Sequence, residues 1–131
     1  MNIFYLHPDC RVAAKMHCDK HCVKMILETA QLLSTAHREL DGDEIADRRE
    51  LYKSTHRNHP SAVWARANRE NYDWLVGLFK GLLEEYTARY GKRHASSKLL
   101  LPISLSPLNL KSGEFYPPPQ CMPDEYKHTS T

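Results

Sequence analysis

Residues 17–38 constrain the fold more than any other stretch, because one helical register sorts nearly all their side chains into polar and apolar sets. An α-helix advances about 100° per residue. With His17 at zero, Lys20 falls at about −60°, His21 at about +40°, Lys24 at about −20° and Glu28 at about +20°. Gln31 then falls at about −40°, Thr35 near zero and Arg38 at about −60°. The polar residues thus share a stripe roughly 100° wide over about six turns. The opposite arc holds Cys18, Cys22, Val23, Met25, Ile26, Leu27, Ala30, Leu32 and Leu33. An arc that wide predicts a helix covered on several sides.

The stripe has two readings. In one it is the wet side of an amphipathic helix. In the other it lines a working cleft, and its chemistry favours this: between His17 and Gln31 it carries two histidines, two lysines and a single carboxylate. A solvated face mixes Glu and Lys more evenly. Glu28 beside Lys24 and His21 is a positioned carboxylate among cations, as acid–base catalysis requires. Lys20, Lys24, Gln31 and Arg38 suit an anion such as a phosphate backbone. His17 and His21 stand at i, i+4, the spacing of a shared metal, with Glu28 or His59 to complete the site. The neighbouring lysines oppose a dication, so no metal or other cofactor is expected.

Elsewhere the signals are again helical. Asp9 is a plausible N-cap for a helix from about Cys10 to Leu40, which Asp41-Gly42-Asp43 breaks. Residues 44–53 read as a short exposed helix or a loop. Pro60 fits a first helical turn, and Gly91 a C-terminal stop. Residues 60–90 are one long helix or two, divided around Asn68, with one or two further turns over 95–101. From Pro102 helix signals fade, and FYPPPQCMPDEYK reads as extended. These elements predict an all-α fold, a compact single-domain bundle of about 3–5 helices over residues 1–131. Residues 102–131 form its extended, Pro-rich tail.

A chain of 131 residues can bury a core without staples. Cys10, Cys18, Cys22 and Cys121 contain no C-x-x-C pair and read as small core residues. No apolar run matches a membrane span, and MNIFYLHPDC lacks the layout of a signal peptide, so a cytoplasmic monomer is expected. The net charge of +2 gives no whole-domain basic footprint, so nucleic-acid contact needs local clustering. Such a cluster precedes the second helical region: His56, Arg57, Asn58 and His59, with Arg66 beyond. A helix start there offers N–H donors to a phosphate, although a plain capping turn explains the same residues. Trp64 and Tyr72 read as core rather than base-stacking platforms.

The spacing from Asp19-Lys20-His21 to Glu28 resembles the pyrimidine dimer DNA glycosylase family of the endonuclease V type. Those small helical proteins carry a similar Asp-x-His with a glutamate seven residues after the histidine. Asn58-His59-Pro60, the Glu85-Tyr86-x-x-Arg89-Tyr90-Gly91 segment and the opening MNIFYLHP are also similar to family motifs, over residues 1–94. The whole is similar, too, to small phage-encoded proteins. The resemblance implies a DNA-repair glycosylase with AP-lyase activity on damaged pyrimidines in duplex DNA. It implies an N-terminal α-amine, at Met1 with Asn2 beside it, that attacks the sugar C1′, with Glu28 as the matching carboxylate. His21 would contact DNA beside it.

Phage-type members expose a small first residue and flank the glutamate with arginines. Here Met1-Asn2 opens the chain, and Leu27 and Thr29 flank Glu28. Lys20 and Lys24 would replace the missing charge, and Lys24 is the reserve nucleophile. DNA contacts would come from His17, Lys20, Gln31, Arg38, His56, Arg57, Asn58, His59 and Arg66. The alternatives are a non-catalytic DNA- or protein-binding accessory protein and a histidine-based metal-dependent hydrolase.

Overall fold

A computed structural model describes residues 3–120, and among them the regular structure is six α-helices and one 3₁₀ segment. The first helix, α1, spans Cys10–Lys15 and is capped by Asp9, whose carboxylate accepts from the main-chain N–H of Arg11 and Val12 at 2.8 and 3.2 Å. The second, α2, spans Asp19–Asp41 and is about 35 Å long. The single helix expected from Cys10 to Leu40 is therefore two. The chain turns at Met16–Cys18, where Cys18 is extended. No glycine or proline marks this turn. It is held from outside, by Arg89 donating to the carbonyls of Lys15 and His17 at 3.2 and 2.8 Å.

Gly42, with φ at +90°, ends α2, and α3 (Asp43–Arg48) follows. Pro60 opens α4 (Pro60–Ala65) behind the N-cap His59. Asn68 caps α5 (Arg69–Tyr90), accepting from Asn71 N–H at 2.8 Å, so residues 60–90 form two helices. Gly91, in the left-handed region at φ +68°, stops α5. A 3₁₀ segment (Ala95–Leu99) leads into α6 (Leu100–Ser104). Helix therefore continues past Pro102, which lies in the first turn of α6 where its missing N–H is not needed. The extended tail begins at Leu105. These divisions raise the helix count above the three to five expected.

The core sits between α2 and α5, with α1 packed on α5 and with α3 and α4 on α2. Ile26, Leu33, Leu75, Phe79 and Leu82 are fully buried within it, and Trp64 and Tyr72 are core residues as expected. Two glycines let α1 approach: a Cβ on Gly81 would lie 2.8 Å from the Cβ of Ala14, and one on Gly77 would collide with Cys10 Sγ. Burial of α2 is uneven. All of residues 32–38 are buried, whereas Val23 and Leu27, assigned to the inward arc, are exposed. Cys18 is also exposed, Cys10 is half-buried and Cys22 is buried, while Cys121 lies outside the described residues. Burial raises the thiol pKa of Cys10 and Cys22, which keeps both protonated.

The tail bonds to the body as far as Tyr116, and Pro118 is buried; residues 121–131 lie outside the described range. Leu108 and Asn109 donate main-chain N–H groups to the Asp41 carboxylate at 2.6 and 3.0 Å. Among the described residues no helix is long and apolar enough to cross a membrane.

Candidate functional site

The polar stripe of α2 changes character along its length. At its start His17 is buried, and its Nδ1–H donates to the Ala13 carbonyl at 2.7 Å. Burial lowers its pKa and outweighs that carbonyl, so the imidazole is neutral. His17 is thus part of the turn between α1 and α2, with the Phe4 ring edge-on at 5.8 Å. It does not offer a contact to DNA.

The open stretch runs from Lys20 to Gln31. Lys20 and Lys24 are exposed, while His21, Glu28 and Gln31 are half-buried. Phe4 stacks on His21 with ring centroids 4.6 Å apart and planes at 16°. Lys24 Nζ lies 3.8 Å from Glu28 Oε2, the lysine 61% exposed and the glutamate only 16%. Glu28 is the sole carboxylate between Lys20 and Gln31. It stands about 10 Å along the helix from His21.

Beyond Gln31 the stripe is covered by residues 51–55. Thr35 Oγ1 accepts from Thr55 N–H at 3.1 Å, and Ser34 Oγ accepts from Tyr52 N–H at 3.2 Å. Arg38 is buried beneath this strand-like crossing. Its guanidinium donates to the carbonyls of Tyr52 and Leu51 at 2.6 and 2.9 Å and pairs with Asp43 and Asp47, each at 2.9 Å. Expected as a phosphate contact, Arg38 is consumed in joining α2, α3 and residues 51–52.

The second cluster follows directly from Thr55. His56, Arg57 and Asn58 are exposed, and His56 adopts φ +48° at the bend. His59 is half-buried, and its Nδ1 accepts from Ser61 N–H at 3.1 Å. Burial lowers its pKa. Because α4 has only 6 residues and His59 already takes one of its free N–H groups, the side chains of the cluster, more than the helix end, are what it offers an anion. Arg66, half-buried after α4, has an Nη1 with no hydrogen-bond partner among the described residues.

Met1 and Asn2 lie outside the described residues. The described chain begins with Ile3 fully buried, then Phe4 on His21, then Tyr5 against Trp74 at 5.3 Å. The amino-terminal segment therefore meets the first turn of α2, at His21 on the open stretch. Among the described residues no group of three or more His, Cys, Asp and Glu side chains converges to hold a metal.

Two contributors escaped the sequence reading. Phe4 gave no signal, being one apolar residue in a short run. Arg89 stood in the Glu85-Tyr86-x-x-Arg89 motif, yet nothing local tells that its partners are carbonyls of the α1–α2 turn.

A family model described as pyrimidine dimer DNA glycosylase matches residues 1–98. Searches of curated proteins and of solved structures gave no match.

Proposed function

The chain belongs to the pyrimidine dimer DNA glycosylase family, and from that premise we propose a DNA-repair glycosylase with lyase activity on damaged pyrimidines in duplex DNA. Glu28 carries this reading. It is a half-buried carboxylate held 3.8 Å from an ammonium, alone of its sign on the open stretch that the amino-terminal segment meets at His21.

The proposed nucleophile is the α-amine, two residues before the buried Ile3. Its ordinary pKa of about 7.7–8.0 leaves a useful fraction unprotonated near neutrality. Lys24 is the weaker candidate because Glu28 engages its ammonium. As the N–C1′ bond forms, the bond from C1′ to the base breaks and the base leaves with its electron pair. The amine then gives up a proton to the ring oxygen as the C1′–O4′ bond opens, leaving an iminium ion. Loss of a C2′ proton expels the 3′ phosphate by β-elimination. Glu28 stabilises the cationic sugar and moves these protons. Lys20, Gln31, His56, Arg57, Asn58, His59 and Arg66 contact the DNA, and His21 orients it near the sugar. Access to C1′ requires the lesion to be bent or flipped out.

Incubation with a duplex holding an abasic site or a pyrimidine dimer, in the presence of borohydride, should trap a covalent adduct. Peptide mapping of the adduct separates the amino terminus from Lys24. Glu28→Gln should abolish turnover and leave duplex affinity within about twofold. Absence of both adduct and cleavage would sink the lyase reading. Salt-sensitive binding that ignores Glu28 would instead mark a non-catalytic DNA-binding protein.

A further inference from the structure

Residues 111–116 lie beyond the family-matched range and run extended across the corner between α4 and α5. Side chains of that corner grip the tail by its main chain. Trp64 Nε1–H donates to the Tyr116 carbonyl at 2.7 Å, and Asn68 Nδ2 donates to the Glu114 carbonyl at 3.0 Å. Glu70 accepts from Gly113 N–H at 2.6 Å, and Asn71 Oδ1 accepts from Tyr116 N–H at 3.3 Å. Gly113 is needed at this approach, since a Cβ there would lie 2.9 Å from the Cβ of Asn68.

This grip delivers the Phe115 ring to three aromatic neighbours. Its centroid lies 6.1 Å from Tyr5, 6.2 Å from Trp64 and 6.0 Å from Trp74. Trp74 in turn packs on Tyr5 at 5.3 Å and donates its indole N–H to the Pro8 carbonyl at 2.8 Å. The segment that precedes α1 is therefore held at three points: Phe4 on His21, Tyr5 against both Trp74 and Phe115, and Pro8 on Trp74. Only Phe115 among these supports comes from the tail.

We infer that Phe115 is a positioning residue, which through Tyr5 and Phe4 keeps the amino-terminal segment in register over the α2 stripe. Its catalytic consequence rests on the amino-terminal nucleophile proposed above. An amine carried by this segment meets C1′ productively only if the segment is fixed, because small displacements of a reacting group cost rate steeply. Phe115 acts through the segment and does not touch the reacting atoms.

Three variants test this: Phe115→Ala, Phe115→Tyr, which keeps the ring, and Phe115→Leu, which keeps bulk without it should the alanine variant fold poorly. The first readout needs no activity. The ring protons of His21 feel the stacked Phe4, and their NMR shifts should move toward free-histidine values in Phe115→Ala and return in Phe115→Tyr. The second is the single-turnover rate of borohydride trapping, which should fall about tenfold in Phe115→Ala with KM for the duplex unchanged. Unmoved His21 signals, or an unchanged trapping rate in a trapping-competent protein, would overturn the inference. A wild-type protein that traps nothing would overturn the lyase reading instead, and the His21 signals alone would then decide the positioning role.

Discussion

The Arg89 guanidinium donates to the main-chain carbonyl of His17 at 2.8 Å across 72 positions of sequence. The same group reaches the Lys15 carbonyl at 3.2 Å, Asp19 at 3.1 Å and Glu85 at 3.1 Å. One side chain from the end of α5 thereby sets where α1 stops and α2 starts, and so the register of the stripe. Arg89→Met should cost about 2 kcal/mol, because the part-buried His17 carbonyl loses a charged donor. Arg89→Lys should recover little of this, since an ammonium cannot fork to several acceptors. Urea denaturation checks both, and an unmoved midpoint for Arg89→Met would remove the residue from the turn's support.

At the α1–α5 contact, Gly81→Ala tests packing against propensity. Alanine favours a helix interior over glycine by about 1 kcal/mol. The added Cβ would stand 2.8 Å from that of Ala14, and such overpacking costs about 1–3 kcal/mol. A net loss of stability is expected. In a double-mutant cycle, Ala14→Gly should relieve part of the Gly81→Ala penalty, and strict additivity would show that the two helices do not meet there.

His37 makes stability depend on pH. The Tyr72 hydroxyl donates to the Ile103 carbonyl at 2.6 Å, so its oxygen is left to accept the Nε2–H of His37 at 2.7 Å. Burial, reinforced by Arg49, pushes the His37 pKa down to about 4, from an unfolded value near 6.5. The unfolded chain therefore takes up this proton first as pH falls. The stabilisation is complete above about pH 6.5 and is lost progressively down to about pH 4. Melting curves between pH 7 and 5 should show a falling midpoint. His37→Gln, which can still donate to Tyr72, should flatten that slope.

Charges on the open stretch and those built into the scaffold should separate by salt dependence. Lys20→Gln and Arg57→Gln should each lower the slope of log affinity against log salt by about one. Arg38→Met should leave that slope unchanged and cost about 2–4 kcal/mol of stability, because it strips donors from two carbonyls, takes away Asp43's ion-pair partner and leaves Asp47 only the longer contact with Lys53 at 3.4 Å. A reduced slope for Arg38→Met would return it to the DNA contacts.

Local chemistry was legible in the sequence. Asp9, Pro60, Asn68 and Gly91 mark helix ends through bonds and backbone preferences that reach no further than a turn. The periodicity of residues 17–38 likewise announced a helix with Glu28 on its polar line, and the motifs around it pointed to the matched family. Which polar residues would be wet was not legible. His17 and Arg38 share the stripe with Lys24 and Glu28, yet they are buried because Phe4, residues 51–55 and the α1–α2 turn cover the two ends. Nor could one sequence show that Arg89 holds that turn, or that Phe115 reaches Tyr5. Helical phase follows from neighbours along the chain. Burial and long-range support depend on segments that are distant in sequence and meet only on folding, so only the tertiary structure decided them.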